Sequence, residues 1–384
     1  MPSEAPPERR GPFGSRTFRI GRLFGIDVGI DPSWFFVFVL FTLSFGSEFQ
    51  TVFPEWGLAM AYGGALLTSL LYFGSILAHE LGHSVISQSL GLPVRSITLF
   101  LLGGLAQLSG EPERPRDEFL IAIAGPAVSF LLGLGFLGLW MASPDGSFLG
   151  QLGVRLGSIN IALTVFNMIP GFPLDGGHVF RSFLWAATGD RDRSTRWAAL
   201  AGSLFARLLI ALGIGLALFG GSVLGGVFMG FVGWFLLRVA QASGFQARLR
   251  EVLSRVNVGE VMHTPAHVVD TWTTAEDVAE AALTRHGSRQ VFVEDEGRLL
   301  GVLGLEQILA IDAERRGFLR VTEVMTELTD LATIGPRENL FAALERMERE
   351  DSVRLLVVHE GAVLGVIARE DITRAFQSRS TRKT

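Results

Sequence analysis

The chain has 384 residues, 48% of them hydrophobic and only 18% charged, a balance too apolar for an ordinary soluble enzyme and suited to a membrane protein joined to a soluble part. A net charge of -5 and the lack of any basic tract argue against a nucleic-acid partner. With no cysteine, disulfides and thiolate zinc sites are excluded, and any metal must be held by histidine and carboxylate.

Residues 1–17 form a polar tail with Pro and Arg and no apolar core, unlike a secretory signal peptide. Residues 17–31 are partly alternating and glycine-spaced, which predicts an extended segment before the membrane. Six apolar runs follow, at about 32–47, 58–90, 119–142, 149–168, 197–219 and 223–242. The first is short and would have to start in the interface. The intervening segments 48–57, 143–147 and 220–222 carry no Arg or Lys. The opposite set carries Arg19 and Arg22, Arg114 and Arg116, Arg191 and Arg193, and Arg248 and Arg250. By the positive-inside rule both termini are cytoplasmic, which needs an even number of spans.

Near the end of the second run stands His79-Glu80-Leu81-Gly82-His83. On a helix, residues four apart share a face, so His79 and His83 can reach one metal ion, and Glu80 can take a proton from a water at that ion. The plain alternative is two buried histidines and a glutamate that need polar contacts. A central charge in a membrane span costs about 2.5–3.5 kcal/mol on insertion scales, so three ionisable groups within five residues point to function.

Residues 94–109 are β-branched at their start and broken by Gly103 and Gly104, which predicts a hairpin or re-entrant segment shielded by protein or lining a wet cavity. Its edge could pair with a substrate strand, although a plain amphipathic loop fits the pattern too. Further on, Pro170, Pro173 and the pair Gly176 and Gly177 must interrupt the fourth run, with Asp175 inside the break. Runs two and four both pass from outside to inside, so His79 and Asp175 reach similar depth on the cytoplasmic side. Asp175 is therefore the expected third metal ligand, with His178 as its rival. Asn167 is either a donor to the substrate carbonyl and oxyanion or a helix-to-helix hydrogen bond.

From about residue 258 the composition turns to mixed charge with regular apolar spacing. VGEVM at 258–262 recurs as VTEVM at 321–325, and LGVLG at 300–304 recurs as LGVIA at 364–368. Two copies of about 60 residues predict a paired α/β module with pseudo-two-fold symmetry. His263, His267, His286 and His359, scattered through it, read as surface or packing histidines.

Taken together, His79-Glu80-Leu81-Gly82-His83 and Asn167, Pro170, Pro173 and Leu174-Asp175-Gly176-Gly177 resemble the site-2 protease family of intramembrane zinc metalloproteases. Ala124-Gly125-Pro126 with Ser129 resembles that family's third-span motif, although relatives often have Asn where Ser129 stands. The C-terminal repeats resemble a tandem pair of cystathionine-β-synthase-type (CBS) domains, which in many relatives bind adenine nucleotides. Their nucleotide signature ends on an Asp that holds ribose. The first copy has Gln307 there, and the second keeps Asp371.

The resemblance implies six transmembrane helices with a short membrane-associated β element, plus a soluble α/β tandem CBS domain. The expected division is a tail at 1–17, the six-span zinc protease domain at 18–245, a linker at 246–257, CBS repeats at 258–319 and 320–378, and a tail at 379–384. It further implies one Zn2+ per chain on His79, His83 and Asp175, with Glu80 as the base and Asn167 at the substrate oxyanion. A nucleotide ribose on Asp371 and a homodimer through the CBS domains complete the expectation. The substrate would be a transmembrane protein in the lipid bilayer, cut by an enzyme of the cell membrane. A CBS-regulated transporter or channel is the rival class, and Glu80 between two same-face histidines decides against it, since cation transport needs no base there. An inactive relative is the other rival, and the intact motifs argue against that.

Overall fold

Asp31-Pro32-Ser33 opens the first long helix: Asp31 accepts from the Ser33 amide at 2.9 Å and the Ser33 hydroxyl at 2.6 Å, and Pro32 occupies the first turn. The computed structural model describes residues 17–101, 103–108, 110–264, 268–284, 290–360 and 362–380. The chain forms two compact units, Met1–Phe245 and Gln246–Thr384.

In the first unit, strands β1 (Phe18–Leu23) and β2 (Ile26–Ile30) precede helices α1 (Pro32–Val52) and α2 (Leu58–Ser89). Strands β3 (Val94–Phe100) and β4 (Gly103–Leu108) follow, then α3 (Pro115–Ala142), α4 (Phe148–Asn167), α5 (Asp175–Thr188), α6 (Arg191–Phe219) and α7 (Val223–Leu253). Six of these helices, all but α5, are long and apolar enough to cross a membrane.

α3 and α6 begin earlier than the sequence expectation, at Pro115 and Arg191, and three further departures have a visible cause. α1 does not stop at 47 but runs to Val52, because Phe45, Phe49 and Phe53 pack into one aromatic cluster and Glu48 pairs with Arg155 of α4. α7 runs to Leu253, through most of the segment expected to be a linker, because Leu253 is itself a core residue of the second unit. The third departure is α5, a helix of 14 residues where an interrupted span was expected. Pro170 and Pro173 end before it begins, and Asp175 forms its first turn, where an acidic side chain is favoured by the helix dipole.

Residues 94–108 form the β3–β4 pair, and the sheet order is β1-β2-β3-β4, so β4 is an edge. β2 and β3 are parallel, with α1 and α2 as the crossover between them. Alternate residues Ile26, Val28 and Ile30 of β2 are buried, and Ile26, Val94 and Ile97 pack on Leu77 and Leu81 of α2. Those two leucines flank His79 in sequence, so the sheet lies directly against the motif.

Aromatic rings bind α1 to α2: Trp34 meets Phe73 edge to face at 5.0 Å, and Phe41 stacks on Tyr72 at 4.9 Å. Polar links are few, as between Asn160 of α4 and Ser75 of α2 at 3.2 Å. α6 and α7 meet through Gly213, Gly226, Gly230 and Gly233, close approach of the kind small residues permit in a membrane.

The second unit carries the two copies. The first holds β5 (Val268–Asp270), α8 (Ala275–Thr284), β6 (Gln290–Asp295), β7 (Arg298–Gly304), α9 (Leu305–Leu309) and the short turn α10 (Ala313–Arg316). The second holds α11 (Val321–Val324), β8 (Thr326–Glu327), β9 (Thr333–Ile334), α12 (Leu340–Arg349), β10 (Arg354–His359), β11 (Ala362–Ala368) and α13 (Arg369–Ser380). The sheets are β5-β6-β7-β8 and β9-β10-β11. Each copy has the same irregularity, at Val293/Glu294 and at Val357/Val358, which confirms the repeat at the level of strand register. Phe292 and Val302 of one copy share a core with Leu356 and Val366 of the other.

Candidate active site

His79 lies on the face of α2 turned to α3, 4% exposed, and His83 follows one turn on. Each ring has its Nδ1 engaged. His79 Nδ1 lies 2.9 Å from the Ser129 hydroxyl, and His83 Nδ1 donates to the Ile121 carbonyl at 2.7 Å, both on α3. With Nδ1 so occupied, both rings turn Nε2 inward, the arrangement that fixes a metal-binding histidine. Ser129 is fully buried, and this contact to His79 is made where relatives often have Asn.

Asp175 enters from the first turn of α5 and completes the cluster. Its Oδ2 is 3.1 Å from His79 Nε2 and 3.3 Å from His83 Nε2, and the two Nε2 atoms are 3.2 Å apart. Tetrahedral zinc with bonds of about 2.0–2.1 Å puts neighbouring ligand atoms roughly 3.3–3.4 Å apart, so the triangle has the size such an ion needs. Among the described residues this is the one group of three acidic or histidine side chains that could hold a metal ion.

Gly125, in the Ala-Gly-Pro turn of α3, keeps that space open. A Cβ there would stand 2.2 Å from His83 Nε2 and 2.7 Å from His79 Nε2. The donor set of two imidazoles and one carboxylate, turned inward on a cradle that any side chain at 125 would fill, fits zinc.

Glu80 lies beside the cluster, and its carboxylate accepts no hydrogen bond from any described residue. β4 passes over it so closely that a Cβ on Gly104 would come within 2.4 Å of Glu80 Cγ. A carboxylate held next to the metal position with no hydrogen-bond partner among the described residues is available to move a proton.

The other expected residues divide. His178 is not in the cluster: its Nδ1 bonds to Glu118 at 3.1 Å. Asn167, the last residue of α4, is half-buried and its amide has no hydrogen-bond partner among the described residues, unlike a helix-to-helix link.

Asp371 lies in the second unit, 4% exposed, accepting from the Ala368 amide at 3.0 Å and meeting His263 Nε2 at 2.9 Å. Burial alone would raise its carboxyl, but these two bonds outweigh that and hold it below the ordinary carboxylate range. His263 is therefore no plain surface or packing histidine; it ties the first copy to the second. His359 is about half exposed, as expected, whereas His267 and His286 lie outside the described residues. The equivalent positions of the other cleft hold Gln307, which accepts from Gly304 at 3.0 Å and Arg354 at 2.6 Å and donates to Thr326 at 3.3 Å.

Comparison with known proteins bears on both units. The family model for peptidase family M50 matches residues 67–153 and 147–212, and that for the CBS domain matches 258–314 and 321–378. Two curated relatives carry the name "Putative zinc metalloprotease". One, sll0528 of Synechocystis sp., is 33% identical over 378 residues, covering 96% of this chain and 97% of its own. The other, Rip3 of Mycobacterium tuberculosis, is 32% identical over 365 residues, covering 92% of this chain and 91% of its own. Among solved structures, the site-2 protease from Methanocaldococcus jannaschii is 26% identical, with a TM-score of 0.43, covering 59% of this chain and 95% of that one.

Proposed function

The chain belongs to peptidase family M50, the site-2 proteases, as a multi-pass zinc metalloprotease with a CBS pair, and from that premise we propose that it hydrolyses peptide bonds of transmembrane proteins within or beside the bilayer. The observation that carries the proposal is the triangle of His79 Nε2, His83 Nε2 and Asp175 Oδ2, with sides of 3.1–3.3 Å, beside an unengaged Glu80.

His79, His83 and Asp175 would hold zinc. When bound, the ion supplies a Lewis acid that makes water acidic near neutral pH and polarises the scissile carbonyl. Glu80 takes a proton from the attacking water and delivers it to the leaving amine. The free Asn167 amide donates to the oxygen that becomes negative in the transition state. Ser129 and the Ile121 carbonyl keep both imidazoles in the tautomer that leaves Nε2 for the metal. A substrate helix must unwind to expose a peptide bond, and the free edge of β4, which covers Glu80, offers backbone groups to an extended strand. Stripping zinc with a chelator should abolish cleavage of a single-span membrane substrate, and returning zinc should restore it. Full activity of the metal-free protein would refute the proposal.

The regulatory half of the proposal is that an adenine nucleotide, with its ribose on Asp371, and homodimerisation through the CBS pair control the protease. The hydrogen bond from His263 makes this demanding, because ribose hydroxyls would have to compete for the same carboxylate. Binding is therefore confined to the Asp371 cleft, with Gln307 in the other. Calorimetry with ATP, ADP and AMP on residues 246–384 should show at most one site per pair, lost in Asp371→Ala. No heat with any of the three would remove nucleotide control and leave the protease assignment standing.

A further inference from the structure

Asp175 reaches the two histidines from α5, which meets α3 through the edge-to-face rings of Phe119 and Phe183 at 5.5 Å and through one buried carboxylate. Glu118, in the first turn of α3, is 2% exposed. Its Oε1 accepts from His178 Nδ1 at 3.1 Å and from Nε and Nη2 of Arg181. His178 and Arg181 follow Asp175 by three and six residues, about one and two turns along α5, on adjoining faces of that helix. Arg181 is fixed in turn, with its guanidinium 5.1 Å from the Phe172 ring centroid and a 3.4 Å bond to Thr195 of α6. Glu118 thus receives the only carboxylate-directed contacts from α5 among the described residues, apart from those of Asp175 itself with the histidines.

Position along α3 gives this clamp its meaning. Glu118 precedes Ile121 by one turn, and the Ile121 carbonyl holds His83. Ser129, two further turns along, holds His79. One helix therefore carries the hydrogen-bonding partner of each histidine and the anchor of the helix that bears Asp175. A buried ion pair is poor evidence for stability, since apolar groups of the same volume often serve as well. A multiply hydrogen-bonded guanidinium–carboxylate pair does impose a defined direction, which close packing alone does not.

We propose that Glu118 is a positioning residue for the metal centre, clamping α5 so that Asp175 stands at tetrahedral distance from His79 and His83. The proposal rests on the assignment of those three residues as the metal ligands. Glu118 itself is not in the cluster and acts through His178 and Arg181.

Cobalt substitution tests it on the full chain in detergent, because the visible absorption of Co2+ reads ligand geometry without reference to activity. Wild type should give tetrahedral bands, and Asp175→Ala marks the loss of that ligand. Glu118→Gln keeps the shape and removes the charge; it should weaken Co2+ binding, read by chelator competition, about 10–100-fold and shift the bands, as loss of groups that orient metal ligands does. If Glu118→Gln does not fold, the double variant Glu118→Gln, Arg181→Gln leaves no buried charge unpaired and carries the same expectation. Wild-type spectrum and affinity in whichever variant folds would overturn the clamp while leaving the ligand assignment intact. Failure of the wild type to bind Co2+ would instead overturn the ligand assignment, and the clamp with it.

Discussion

Asp175 and His178 are three residues apart on one helix, yet they face different partners, and zinc content separates them. Asp175→Ala removes a group from the cluster and should leave well under one zinc per chain. His178→Ala removes a contact to Glu118 that Arg181 still makes, and should keep most of the metal. The opposite order would make His178 the ligand. Asp371 predicts a pH dependence of stability. Its folded carboxyl lies below the ordinary range, so its contribution is complete above about pH 5, where the unfolded carboxyl is fully ionised, and is lost as pH falls through the folded value. Thermal unfolding of residues 246–384 should therefore fall more steeply on acidification in wild type than in Asp371→Asn. At pH 7 that substitution should cost about 1.5–3 kcal/mol, the range for a hydrogen bond to a charged group. Equal acid sensitivity of the two proteins would contradict this.

Elements bring these residues together, and two glycines show how tightly. Gly125→Ala places a methyl where the metal belongs and should abolish zinc binding. Gly104→Val on β4 collides with Glu80 instead, so it should keep zinc and lose cleavage. Zinc retained by the first variant, or cleavage by the second, would contradict the geometry. Much of this was legible in the chain. The four-residue spacing of His79 and His83 survives on any straight helix, and the prolines at 170 and 173 do end α4. What escaped was α5, because Gly176 and Gly177 read as helix breakers when their contacts are what matters. A Cβ on Gly176 would meet the Met168 carbonyl at 2.4 Å, and one on Gly177 would meet Gly171 at 2.5 Å, so both glycines lie inside a helix folded back on its own entry loop. The Glu118 clamp escaped for the same reason, since 60 residues of sequence separate it from a helix that was not foreseen. The extension of α1 past Ser47 was hidden by Glu48, whose charge looks like a loop until Arg155 is found opposite it.

At the scale of the whole molecule, the arginine distribution predicts that both termini are cytoplasmic and the arginine-free connections outside. The absence of cysteine makes the test direct. A cysteine replacing Ser143 or Ser222 should react with an impermeant thiol reagent outside intact cells, and one replacing Ser378 should not. The reverse pattern would invert the topology. The central claim, that a His79–His83–Asp175 zinc centre with Glu80 as base cuts membrane-spanning substrates, is tested most directly by comparing wild type with Glu80→Gln in lipid nanodiscs. Zinc content and cleavage of a panel of single-span membrane proteins are read on the same preparations. The expected result is about one zinc per chain in both proteins, with cleavage in the wild type slowed at least about 100-fold in Glu80→Gln, as loss of a general base requires. Equal cleavage by the two proteins, or none by a zinc-loaded wild type across the panel, would contradict it.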